Sequence, residues 1–146
     1  MNITLRKDLE PDIDFYFEQQ SKIYHEPYLI WDKETWKVVL TTCDVYRIEV
    51  DGKCAGDVIL ERKGRGTAYI VDFSLLPEYQ GIGIGKAAIE KAKHMGKMLG
   101  AVTRKETLDF FLKCGFVLKK RLRNYYYHGV DGYYVILSHQ RGESDP

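Results

Sequence analysis

A β-prone run, residues 67 to 76, passes through Pro77 into a turn with glycine at alternate positions, Gly81, Gly83 and Gly85, and then into an amphipathic stretch from Lys86 to Met98. No other stretch restricts the fold as much. Glycines at that spacing leave successive backbone N–H groups unshielded, and the helix that follows adds its own unpaired donors and the positive end of its dipole. The turn therefore reads as a phosphate cradle joining a strand to a helix. Two common phosphate motifs are excluded by spacing. The P-loop requires a glycine where Gln80 stands and a hydroxyl where Ala87 stands, and the dinucleotide fingerprint counted from Gly81 requires a glycine at Lys86.

Around this turn, strand-like stretches fall at about residues 2–7, 45–51, 54–62, 67–76, 100–104, 117–128 and 132–139, and helix-like ones at about 11–24, 32–42, 83–98 and 106–114. Asp51-Gly52 between β-rich runs predicts a hairpin, Lys63-Gly64-Arg65-Gly66 a second turn, and Val130-Asp131-Gly132 the closure of a third hairpin. This order is α+β, with an antiparallel meander and one crossover at the glycine turn. At 146 residues the chain is expected to form one domain over residues 1–140, with residues 141–146 as a frayed tail. No apolar run approaches the roughly 20 residues needed to span a bilayer, and the N-terminus lacks the apolar core of a secretory leader. Three cysteines, Cys43, Cys54 and Cys114, are odd in number and lack metal-like spacing. Together these features predict a soluble, cytoplasmic protein with no membrane partner and no metal.

The fragment Gln80-x-x-Gly83-x-Gly85 behind an apolar strand, together with Leu108-Asp109-Phe110-Phe111-Leu112-Lys113-Cys114-Gly115-Phe116 further on, resembles the signature of the GNAT N-acetyltransferase superfamily. The resemblance implies a three-layer α+β fold with a mixed central sheet of six or seven strands flanked by four helices. It also implies acetyl-CoA as cosubstrate and direct transfer of acetyl to a primary amine of a small molecule or peptide. By resemblance, the CoA phosphates lie on Gln80, Gly81, Ile82, Gly83, Ile84, Gly85 and Lys86, with Lys113 and Phe111 on the same side. The pantetheine arm would run along the backbone of Phe73, Ser74 and Leu75. The Leu75 N–H would then polarise the acetyl carbonyl, a kind of contact worth about 3 to 4 kcal/mol in acyl transfer. The family often carries a tyrosine acid where Phe111 stands, and an asparagine where Arg104 stands. Those departures keep a second expectation open, a non-catalytic acyl-CoA-binding module of the same fold.

Asp72 reads as the one carboxylate inside an otherwise apolar strand, where burial would raise its pKa toward that of a useful general base. Charge is unevenly spread. Residues 1–79 carry ten Lys and Arg against fifteen Asp and Glu, whereas residues 80–124 carry eleven against three. A basic segment around the cradle suits a ligand with several phosphates. Because the remainder is acidic and no readout motif occurs, nucleic acid is not an expected partner. In the resembled fold, the segment after the first helix and the final hairpin wall the acceptor side. Here they contribute Glu26, Tyr28, Trp31, Tyr126 and His128, with Asp32 and Glu34 nearby. Acids and aromatic faces together suit an organic cation, although Asp32 and Glu34 equally suit a helix cap. A homodimer is an allowed assembly.

Overall fold

The computed structural model describes residues 1–138; the expected tail, residues 141–146, lies outside the described residues. In chain order the elements are β1 (Ile3–Lys7), α1 (Ile13–Ser21), α2 (Lys33–Thr42), β2 (Asp44–Val50), β3 (Lys53–Arg62), β4 (Thr67–Leu75), α3 (Ile84–Ala92), β5 (Met98–Thr103), α4 (Lys105–Lys113), β6 (Val117–Tyr127) and β7 (Val130–Ser138). The strands make one mixed sheet in the order β1-β2-β3-β4-β5-β7-β6. Asp51 and Gly52 both take positive φ, 50° and 85°, the geometry of a primed two-residue turn that matches strand twist. β1 to β4 follow one another as antiparallel neighbours. The crossover through α3 then makes β4 and β5 the parallel pair.

Two apolar layers sandwich the sheet. On one face α1 and α2 bury Tyr16, Trp36 and Leu40 against Val45 and Ile59. On the other, α3 sets Ile84, Ala88, Ile89 and Ala92 against Val58, Leu60, Ala68 and Leu99, while Phe111 and Phe116 seal the α4 end. Small residues on α3 let it lie close to the strands, and burial of each large aliphatic side chain contributes about 1.5 to 3 kcal/mol.

Two boundaries differ from the sequence reading. The helix expected over 83–98 stops at Ala92 and tightens into a 3₁₀ turn, Lys93–Met95. Gly66 C=O then accepts from the amides of both Lys97 and Met98, which turns the chain into β5 two residues before the expected strand start. The third hairpin turns at His128-Gly129, with Gly129 at φ 81°, and Val130, Asp131 and Gly132 belong to β7. Asp131 serves instead as an anchor across β6, accepting from the Asn124 amide at 2.9 Å and from Arg121 at 2.6 Å. It fixes a bulge between Leu122 and Tyr127 in which Asn124 takes φ 55°.

The irregularity that shapes the site is in β4. Ile59 pairs with Asp72, but the next residue of β3, Leu60, pairs with Ile70, so Val71 is the extra residue of a bulge. Side chains alternate along a strand, and one added residue reverses that alternation. Ala68 and Ile70 face α3 and α4, Val71 faces α1 and α2, and beyond the bulge Phe73 and Leu75 return to the α3 side. Asp72 is thereby turned toward α1 and α2. At the same place the β4–β5 ladder ends, its last pair being Ile70 with Ala101. The two strands splay and open a cleft of about 730 Å³.

Candidate active site

The turn after β4 is built as a cradle, although its glycines have unequal duties. Gly81 and Gly83 take φ 76° and 90°, and a Cβ at either would meet nothing within 4 Å. They are required for left-handed backbone rather than for space. Gly83 is the N-cap of α3 and supplies no side-chain acceptor, so the first amides of the helix are left to a ligand. Gly85, expected to expose backbone, is buried, and a Cβ there would lie 3.2 Å from the Phe110 ring. Its role is to let α4 close on α3. Ile82 is 56% exposed at the cradle's lip and Ile84 is wholly buried beneath it. Gln80, Lys86 and Lys113 line the cleft, with Lys113 also 3.0 Å from Asp109.

Backbone polarity along β4 follows from one bond. Leu76 N–H donates to Ala55 C=O on β3 at 2.8 Å, and successive residues of a strand alternate the edge to which their amides point. Phe73 and Leu75 therefore direct their N–H and C=O groups into the splayed gap. Ser74, expected as a third backbone partner, turns its amide toward β3 and its hydroxyl into the interior. The Leu75 carbonyl accepts from Gln80 Nε2 at 2.8 Å, which ties the strand end to the cradle and leaves the Leu75 amide facing the cleft. Phe73 and Phe110 stack at 5.7 Å, and Phe111 meets Phe73 edge-on at 6.1 Å. Phe111 is 6% exposed and a core residue as well as a wall of the cleft.

The other half of the cleft is made of side chains from distant segments. Tyr24, Tyr28, Trp31, Arg104 and Tyr126 line it. Tyr126 hydroxyl donates to Val102 C=O at 2.9 Å, and Tyr28 stacks on Tyr127 at 5.6 Å, so the segment after α1 is clasped to the last hairpin. Trp31 packs against Trp36 and its backbone is held from both sides by the Gln20 amide group, at 2.6 and 3.0 Å. Glu26 stands 3.8 Å from Arg104 at the rim, while Arg104 also lies 6.0 Å over the Tyr24 ring. His128 sits at the exposed hairpin tip and does not line the cleft. Asp32 caps α2, its carboxylate accepting from the Thr35 amide at 2.8 Å, which holds its pKa below the usual range. The capping alternative thus accounts for Asp32.

Asp72 lies on the cleft floor, and it has company. Asp57 of β3, only 1% exposed, lies beside it on the same face of the sheet. Asp72 is therefore not the one carboxylate in an apolar strand: Asp57 within Ala55-Gly56-Asp57-Val58-Ile59-Leu60 is a second, and the same criterion finds it. Burial pushes both carboxyls up; Asp57 is pushed further by the neighbouring charge of Asp72, while hydrogen bonds from Asp57 and Tyr24 act to lower Asp72. Tyr24, another residue that sequence reasoning missed, is itself pushed up by burial and keeps its proton.

This arrangement, an anion cradle at a helix start beside a splayed strand edge with a half-buried acid on its floor, is the layout of an acyl-transfer fold. The chain belongs to the acetyltransferase (GNAT) family, whose model matches residues 6–116. Its fold is shared with the ribosomal-protein-S18-alanine N-acetyltransferase of Escherichia coli (19% identity, 94% of each chain covered, TM-score 0.78). It is shared too with a variant of the spermidine N-acetyltransferase of Vibrio cholerae (16%, 98% of each, 0.74). A third likeness is to a GNAT family acetyltransferase from Elizabethkingia anophelis with acetyl-CoA bound (20%, 94% of this chain and 98% of that one, 0.68). No curated protein sequence matches the chain significantly. Among the described residues no cluster of His, Cys, Asp and Glu could hold a metal ion, and no helix is long and apolar enough to cross a membrane.

Proposed function

We propose that the protein transfers the acetyl group of acetyl-CoA to the primary amine of a small cationic molecule or of a peptide. One observation carries this reading: a single cleft joins uncapped α3 amides, the inward-facing Leu75 amide and a floor carboxyl, Asp72, that has no cationic partner among the described residues. The free amides from Ile82 to Lys86 suit the pyrophosphate, with Lys86 and Lys113 toward its outer charge. The arm of the cosubstrate runs along the Phe73 and Leu75 edge as an added strand. On the acceptor side, Glu26 neutralises Arg104, so the charge left to attract a cation is that of Asp72, beneath the faces of Tyr24, Tyr28, Trp31 and Tyr126.

In the reaction, Asp72 carboxylate takes one proton from the incoming ammonium. The free amine attacks the thioester carbonyl, whose oxygen gains negative charge opposite the Leu75 N–H. The C–S bond then breaks and the nitrogen's second proton passes to the departing thiolate. The products are the N-acetyl amine and CoA thiol, and the proton on Asp72 is released to solvent. Tyr24, whose hydroxyl donates to Phe73 C=O at 3.5 Å, brings a hydroxyl to the cleft beside Asp72. Phe111 favours a second reading, a non-catalytic acyl-CoA-binding module, because phenylalanine has no proton for the leaving group. The three unpaired cysteines suit a reducing cytoplasm. Titration calorimetry with acetyl-CoA, followed by thiol release in the presence of an amine library, separates the readings. Binding without release in any amine would favour the module, and no binding would defeat both.

A further inference from the structure

Asp57 is used by nothing described so far, yet a fully buried carboxyl group in a small domain requires an explanation. It lies on β3 opposite Ser74, and Asp72 lies opposite Ile59 two residues further on, so Asp57, Asp72 and Ser74 project from the same face beneath α1 and α2. We infer that Asp57 and Asp72 hold one proton between them, with Asp57 a positioning residue whose carboxyl donates to Asp72 and keeps the latter ionised toward the cleft. The inference deepens the reading of Asp72 as the base and rests on it for its catalytic consequence.

Geometry supplies the grounds. Asp57 Oδ1, Ser74 Oγ and Trp36 Nε1 are buried without a hydrogen-bond partner, and the void they share is too narrow for a water molecule. Among the described residues, no element packed on the pair supplies a compensating charge. From α1 come Tyr16, Gln19 and Gln20, and from the segment beyond it Tyr24, none of them cationic. Arg47, opposite Asp57 on β2, is engaged elsewhere, 3.2 Å from Asp8 and 4.3 Å over the Phe15 ring. Cys54 on β3 turns its thiol to Gln19 and to Gly56 C=O. Arg104 lies beyond Tyr24 and faces Glu26. Two adjacent carboxylates in such a place cannot both ionise near neutral pH. The proton belongs on Asp57, which is 1% exposed and whose Oδ1 has no hydrogen-bond partner, whereas Asp72 is half-buried and opens onto the cleft, where solvent supports its charge. Burial and then the neighbouring Asp72 charge push Asp57 well up, in agreement with that division.

Two measurements test it. In the protein without ligands, ¹³C-carboxyl NMR of the aspartates should show two linked titration steps, each felt by both Asp57 and Asp72. Asp57→Asn should leave Asp72 with one step. In kinetics, Asp57→Asn preserves a donor to Asp72 and should cost only about threefold in turnover with the acid limb of kcat/KM in place. Asp57→Leu removes the donor and should move that limb up by about one pH unit. A merely structural residue would lower the whole profile without moving the limb. Independent titration of both carboxyls near the ordinary value of about 4, or an unmoved limb in Asp57→Leu, overturns the inference. If the linked steps are found but Asp72→Asn leaves the pH profile intact, the shared proton stands and the base assignment falls. If the two carboxyls titrate independently but Asp72→Asn is inactive, the base assignment stands and the shared proton falls.

Discussion

The two halves of the cleft are made in different ways. On the cradle side the groups proposed to bind are backbone amides: those of α3, freed by an αL glycine at its N-cap, and that of Leu75, turned inward because Leu76 is committed to Ala55. On the acceptor side they are side chains from segments as far apart in sequence as Tyr24, Asp72, Arg104 and Tyr126, assembled by the Val71 bulge and the clasp of Tyr28 on Tyr127. A backbone site tolerates most side-chain changes and fails when glycine is lost. A side-chain site should fail residue by residue, and its failures should be visible in pH dependence.

The largest expected effect is on the acceptor side. Asp72→Asn should lower turnover about 100-fold, the usual scale for losing a general base, while acetyl-CoA affinity stays within about twofold. Next come the cradle glycines. Gly83→Val places a β-branched residue at φ 90° and Gly85→Val drives methyl groups into Phe110, so each should weaken acetyl-CoA binding by more than about tenfold. Calorimetry showing near-normal affinity in both would remove the cradle. Thermal melts should fall in both, through backbone strain in Gly83→Val and through disturbed packing of α4 on α3 in Gly85→Val.

A smaller effect concerns stability. Asp57 and Asp72 have folded pKa values above those of the unfolded chain, so as pH rises past about 4 the unfolded state loses protons that the folded state retains. The pair therefore costs the fold increasing stability up to its own folded pKa. Asp57→Asn, which cannot ionise, should gain in melting temperature relative to the parent as pH is raised from about 4.5 to 7. A constant difference across that range would contradict the raised values. The smallest effect is at Phe111→Tyr, where the ring already forms both core and cleft wall. Turnover within about threefold of the parent is expected, and a large loss would mean that the ring's place against Phe73 and Phe116 does not tolerate a hydroxyl.

What the sequence makes legible follows the same division. The strand, glycine turn and helix at residues 67–92 are legible because their chemistry is local: φ > 0 glycines, an apolar strand and an amphipathic helix are contiguous in sequence. The meander of β2 to β4 is legible through Asp51-Gly52 and the turn at residues 63–66, whereas the place of β7 between β5 and β6 has no local mark. Parity after Val71 is not, because a bulge is one extra residue that alternation cannot reveal, and it decides which face Asp72 takes. Asp57 carries the same signal as Asp72, a carboxylate in an aliphatic run, but their pairing depends on register. Val130-Asp131-Gly132 imitates a hairpin turn because Asp131 has turn chemistry, which the fold uses to anchor the β6 bulge while the chain reverses at His128-Gly129. Tyr24 is held locally by its amide on Gln20 C=O at 2.8 Å, as a helix reading over 11–24 allows, but that it meets Asp72 depends on how α1 lies on the sheet.

The central claim is acetyl transfer to a cationic amine, and steady-state thiol release from acetyl-CoA tests it most directly. Spermidine, a lysine-ending peptide and an acidic amino acid would each be offered to the parent and to Asp72→Asn at low and high salt. Mass spectrometry would confirm acetyl on nitrogen. Release should be faster with the two cationic acceptors, should keep that preference at both salt concentrations because a charge on the cleft floor is screened little, and should fall about 100-fold in Asp72→Asn. Preference for the acidic amine, a cationic preference abolished by salt, or an Asp72→Asn protein as fast as the parent would contradict the account.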